Sequence, residues 1–139
     1  MSDLALPKRG RVIRQAHITR DDLKSNPEKL YLFGDNMARK GMGGQAGEMR
    51  GEPNAIGVPT KWFPSMIEAA FLQDGDVRIS IVIMEIMRAF MRAEEHVHNG
   101  GDVVIPTDGI GTGLAQLPTR APKIHALINS LIAGLSKSP

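Results

Sequence analysis

Cysteine is absent from the 139 residues. That excludes disulfide scaffolds, thiolate metal sites and thiol nucleophiles. Aromatic residues are scarce at 4%, with one Trp and one Tyr, which is thin for a surface that stacks on single-stranded nucleic acid. No apolar run approaches the ~18 residues of a membrane span, so no membrane partner is expected. The opening stretch, residues 1–11, lacks the apolar segment of a secretory signal, and cytoplasm is the expected compartment. An excess of one charge is lacking too: 17 Lys+Arg against 15 Asp+Glu leave a formal +2. The clearest basic cluster, Lys8, Arg9, Arg11 and Arg14, reads first as a solvated terminal segment and second as a nucleic-acid contact.

Glycine is what the chain has in quantity. Twelve of its 15 glycines fall in two windows, Gly34 to Gly57 and Gly100 to Gly113. A flexible linker would spread them among Ser and other polar residues. Here they sit between apolar strand-like runs, which points to two shaped loops. Apolar content of 42% supports a folded core. Length predicts one domain over residues 11–135, with a flexible start at 1–10 and a tail at 136–139.

Val12, Ile13, Ala16 and Ile18 suggest a first strand. Thr19 is a helix N-cap, and Pro27 ends that short helix. Leu30 to Phe33 reads as a strand buried on both faces. Residues 45–50 suit a short helix, Ala55 to Pro59 a strand, and Glu68 to Leu72 a helical turn. From Val77 to Val97 the residues Ile79, Ile83, Ile86, Phe90, Ala93 and Val97 mark one helix face. Asp74 or Asp76 can cap its start and Gly100 close its end. Met84, Met87 and Met91 read as packing residues of this helix. Asp102 to Pro106 is a further strand. Thr119 caps a last helix whose buried face carries Ile124, Leu127, Leu131 and Leu135. The alternation predicts an α/β fold with a mainly parallel or mixed sheet and helices on both faces.

In such sheets ligands sit beyond the carboxyl ends of the strands. Three predicted strands end there in Gly34-Asp35-Asn36, Thr60-Lys61 and Thr107-Asp108-Gly109. Both glycine windows open at these ends, which places them on one sheet edge. Glycine lets backbone N–H groups approach an anion closely. Gly109-Ile110-Gly111-Thr112-Gly113 lacks the Lys-Ser/Thr pair of a P-loop and the spacing of a dinucleotide fold. It reads as a phosphate loop or a tight turn. Asn36 and Asp35 are each a ligand contact or a turn former. Lys61 is a surface lysine, a phosphate partner or a nucleophile. Trp62 and Phe63 read as core residues before base-stacking ones. His96 and His98, two apart on a helix, face different directions, so no metal site is expected, and no cofactor.

Tyr31-Leu32-Phe33-Gly34-Asp35-Asn36 followed by Gly41-Met42-Gly43-Gly44-Gln45-Ala46 resembles the macrodomain strand that ends in Asn and its glycine-rich segment. Ile105-Pro106 with Gly109 to Leu114 resembles the macrodomain loop that embraces a diphosphate. The resemblance runs over about residues 12–135 and extends to small bacterial and phage proteins with the same motifs. It implies a three-layer α/β/α fold that binds ADP-ribose or a related nucleotide. Partners would then include ADP-ribosylated protein or nucleic acid. It further implies that Asn36, Gly43 and Gly44 meet the distal ribose. Gly109, Ile110, Gly111, Thr112, Gly113 and Leu114 would hold the diphosphate. In one macrodomain subclass a Lys at the place of Lys61 attacks the ribose anomeric carbon, which implies glycohydrolase activity here. That subclass has an Asp where this chain has Ala115, so Asp35 and Asp108 are the candidate acids. The Asp that usually contacts adenine is replaced by His17. The alternative function is a module that binds or sequesters a nucleotide signal without turning it over.

Overall fold

A computed structural model describes residues 8–136. Four parallel strands form one sheet: β1 (Val12–Gln15), β2 (Leu30–Asp35), β3 (Ala55–Pro59) and β4 (Val103–Pro106), in spatial order β1-β4-β2-β3. Parallel neighbours need crossovers, and the sequence supplies helices for them: α1 (Arg20–Ser25), α2 (Gln45–Met49) and α3 (Ile79–His98). After β4 come a short α4 (Leu117–Arg120) and α5 (Pro122–Leu135).

The strand residues alternate between two cores. Leu30, Leu32, Ile56, Val58, Val103 and Ile105 pack with α3, α4 and α5. Tyr31, Phe33 and Val104 pack on the other face with Leu23 of α1 and Ala46 and Met49 of α2. The sheet is therefore covered on both sides, and its strands read as continuous apolar runs for that reason. Two advancing connections carry α1 and α2 on one face. The return from β3 to β4 carries α3 on the opposite face, as right-handed crossovers require.

Local signals account for most element ends. Thr19 caps α1, and Asp22 completes a capping box by accepting from the Thr19 N–H at 2.9 Å. Gly100, at φ +94°, follows the C-cap of α3. Asp74 and Thr119 behave differently from the sequence expectation. Asp74 does not cap α3, whose N-cap is Arg78. Its carboxylate instead accepts the N–H groups of Lys123 (2.9 Å) and Ile124 (3.1 Å), at the start of α5. Thr119 lies inside α4 and caps nothing. α5 starts at Pro122, whose ring fits the first helical turn, and its missing cap is supplied by a residue 49 positions away.

The buried face of α3 holds Val82, Ile86, Ala89, Phe90, Ala93 and Val97. Ile79 and Ile83 are only partly buried at its margin. Met84, Met87 and Met91 are not packing residues: they are 61%, 39% and 68% exposed. Periodicity gave the helix, but its rotation against the sheet sets which apolar side chains are covered. Glu68–Ala70 forms only a single 3-10 turn. Near the start of the chain the backbone is tied down: the Gly10 N–H donates to the Val97 carbonyl at 2.8 Å. Arg9 pairs with Glu94 at 2.7 Å and Arg11 with Asp102 at 3.6 Å, so half of the basic cluster is used internally. The remaining parts of the expected flexible termini, residues 1–7 and 137–139, lie outside the described residues.

Candidate functional site

The carboxyl ends of β2 and β4 are neighbours, and the chain leaves them toward opposite faces. Such a switch point opens a crevice between the two outgoing loops. The first glycine window starts there, and so does the Gly109–Gly113 part of the second; Gly100 and Gly101 precede β4 and lie at its other end. A Cβ built on Gly34 would lie 3.7 Å from the Gly111 nitrogen and 3.7 Å from the Thr60 hydroxyl, and one built on Gly43 would lie 3.8 Å from a Leu114 methyl. The two windows therefore meet, as the strand grammar predicts. All three non-glycine residues with positive φ among the described residues, His17, Arg39 and Gln116, follow strand ends on this same edge. Left-handed backbone at such residues costs energy and clusters where loop shape matters.

The loop after β4 carries a run of unpaired backbone donors. Gly109 and Gly111 have φ of +90° and +86°, conformations that glycine adopts without penalty. The N–H of Gly109 is used, donating to Pro106 at 2.9 Å, and that of Leu117 donates to Gly111 at 3.0 Å. Between them the N–H groups of Ile110, Gly111, Thr112, Gly113, Leu114 and Ala115 find no acceptor among the described residues. Successive free N–H groups on a glycine turn make a concavity with positive potential. The Ile110 side chain is 1% exposed and belongs to the core. Thr112 turns its hydroxyl back to the Asp108 carbonyl at 2.8 Å.

Asp35 is fully committed. Its side chain is 3% exposed; Arg50 meets one oxygen at 2.6 Å and Arg39 the other at 3.1 Å. The Asn36 N–H adds a third bond at 2.8 Å. The carboxylate lies across Gly57, where any Cβ would collide with it. Asn36 is also occupied: its amide donates to the Lys40 carbonyl at 2.7 Å and shapes the turn. Asp108 is exposed, and its carboxylate has no bond among the described residues. Gly44 stands at the N-cap of α2.

Lys61 is the buried cation. It is 8% exposed, with no carboxylate paired to it among the described residues. Its ammonium donates to the Ser65 carbonyl, lies 3.6 Å from the Met66 sulfur and 4.8 Å from the Phe71 ring centre. Burial lowers its pKa below the usual lysine value, and the charge of Arg120 lowers it further. Backbone bonds from Met37 to the Lys61 carbonyl (2.9 Å) and from Ala38 to the Trp62 carbonyl (3.1 Å) dock the first window's loop onto this segment. Arg120 reaches the same place from α4, stacking 3.7 Å over Phe71 and pairing with Glu68 at 2.8 Å. Neither Arg120 nor Phe71 stood out in the sequence; a lone Arg after a glycine loop and a lone Phe after a turn carry no spacing signal.

This chain belongs to a family of unknown function (DUF7831). The match covers residues 13–131, so it takes in both glycine windows, Lys61 and Arg120. No curated protein and no solved structure matches the chain. No helix among the described residues is long and apolar enough to cross a membrane. No group of three or more acidic or His side chains there could hold a metal ion.

Proposed function

We propose that the crevice between the two glycine loops binds ADP-ribose or a related nucleotide diphosphate, and that Lys61 acts on the ribose end. The observation that carries this reading is the run of six acceptor-free N–H groups from Ile110 to Ala115. A diphosphate has the charge and oxygen spacing to satisfy several of them at once, and glycine leaves its path clear. The resemblance to macrodomains, including a macrodomain-like α/β/α layering, gives the ligand class.

Lys61 fits the nucleophile's role by its surroundings. An attacking amine must be unprotonated, and desolvation beside a second cation is a recognised route to that state. Burial and Arg120 supply both. The amine would form a bond to the anomeric carbon as the carbon's bond to the departing group breaks. Water would then release ADP-ribose and restore the lysine. Asp35 is a poor acid for this step, since two guanidinium groups hold its oxygens. Asp108 is the candidate that keeps a free carboxylate.

A second reading, a module that binds without turnover, is favoured by the buried Ala115 at the place where the macrodomain subclass has its acid. Lys61→Ala separates the two. For a hydrolase, the variant keeps the thermal stabilisation by ADP-ribose and loses ADP-ribose release from an ADP-ribosylated substrate. Release at an undiminished rate would remove Lys61 from the mechanism. No release by the wild type, with stabilisation intact, would establish the binding module.

A further inference from the structure

α3 carries apolar residues on two faces. Val82, Ile86, Ala89, Phe90, Ala93 and Val97 are buried against the sheet and α5. On the opposite side Met84, Met87 and Met91 are exposed, and so is Ile81 at 53%. Val77, in the turn just before the helix, is 96% exposed. Five of the nine large apolar side chains exposed among the described residues are thus gathered along one line. A surface helix ordinarily turns charged and polar residues outward, and a helix that is apolar all round is a buried one. Apolar patches of this kind mark interaction sites.

Pattern, charge and area together point to the occupant. The spacing is symmetric about Met84: Ile81 and Met87 lie three residues to either side, and Val77 and Met91 seven. A two-fold interface needs a surface complementary to itself. An antiparallel second copy, with the two-fold axis over Met84, sets that residue on its own counterpart. It also lays Val77 and Ile81 of one copy level with Met91 and Met87 of the other. A partner of unrelated sequence requires no such symmetry. The charges on this side of α3 balance. Glu85 holds Arg88 at 3.0 Å and Arg9 holds Glu94 at 2.7 Å, which leaves Arg92 and Glu95, one of each sign. A second copy therefore meets no net repulsion, and neither an acidic nor a basic partner is favoured. The five side chains expose roughly 600 Å² per copy, so a pair that covers both faces reaches the ~1,200 Å² at which specific interfaces begin.

We infer that the protein forms a two-fold homodimer through the outer face of α3, with Met84 at the axis. Methionine suits such a contact, because its unbranched side chain adapts to a copy of itself. The pairing is independent of what the crevice binds.

Sedimentation equilibrium of the whole chain, from micromolar to near-millimolar concentration, tests it. The wild type should pass from one chain mass to two. Met84 is exposed, so replacing it leaves the core untouched. Met84→Glu and Met84→Lys should each weaken association about a hundredfold or more, since each sets like charges across the axis. Mixed in equal amounts, the two variants should associate again, because opposite charges then meet there. That recovery also excludes misfolding as the cause of dissociation. A wild type that stays monomeric over the whole range would overturn the inference. So would a dimer that neither variant weakens, which places the contact elsewhere. Variants that dissociate and stay apart when mixed would overturn it too, since Met84 would then not face its own counterpart.

Discussion

At the scale of single residues, Asp35 and Lys61 show how burial divides labour between charges. Asp35 spends both oxygens on Arg50 and Arg39 and so ties the first glycine window to the end of β2. Asp35→Asn would leave two guanidinium groups without their counter-charge. We expect a loss of about 2–3 kcal/mol in denaturant unfolding, below the ~3–5 kcal/mol of a fully buried pair because both arginines keep contact with water. Lys61 has the opposite situation, a buried cation with no anion. The sequence placed Lys61 at a strand end but could not show its lowered pKa, which comes first from burial, beside Phe71 ten residues on, and second from the charge of Arg120 on another element. Asp35 looked like a candidate acid because a strand-end Asp is exactly as visible whether free or paired. Its partners lie 4 and 15 residues away in a loop with no periodicity. Asp76 gives a pH test at this scale. The Arg78 side chain first, and its backbone N–H second, hold the Asp76 carboxyl down at about 2, from 3.8. A depressed carboxyl contributes stability above its unfolded pKa and loses it as pH falls through the folded one. Asp76→Asn should therefore lower the melting temperature at neutral pH, with the difference from wild type closing between pH 3.8 and about 2. A difference that is unchanged across that window would contradict the pairing.

At the scale of elements, the strands and the long helices were legible because burial on a face leaves a period in the sequence. β2 is buried along nearly its whole length, and its apolar run says so directly. The start of α5 was not legible, because its capping group is distant in sequence. Asp74 accepts two of the N–H groups that a helix start leaves free. Asp74→Ala should cost about 1 kcal/mol, as loss of an N-cap does. It should also raise amide exchange at Lys123 and Ile124 above that of mid-helix residues. Equal stability of variant and wild type would assign the start of α5 to Pro122 alone. The exposed methionines of α3 are the converse case. Length and Met/Ala/Glu content told the helix from a strand, yet three of its methionines face outward.

At the scale of the whole molecule, order along the chain fixed the architecture. Short strands alternating with helices leave a parallel sheet with both faces covered, and handedness then decides which helix lies on which face. The same order put the first glycine window and Gly109–Gly113 at one edge, and a Cβ on Gly43 would come within 3.8 Å of Leu114 there, while Gly100 and Gly101 lie at the other end of β4. The gathering of Trp62, Phe63 and Phe71 between β3 and α3 was not legible, since these residues have no regular spacing and their loop has no period to read. We propose that the free N–H groups of residues 110–115 receive a diphosphate. Amide NMR of the whole protein, titrated with ADP-ribose, tests this. Saturating shifts of the Ile110 to Ala115 amides at one common dissociation constant are expected. Amides of that loop that stay in place while ADP-ribose is raised to its solubility limit would contradict it.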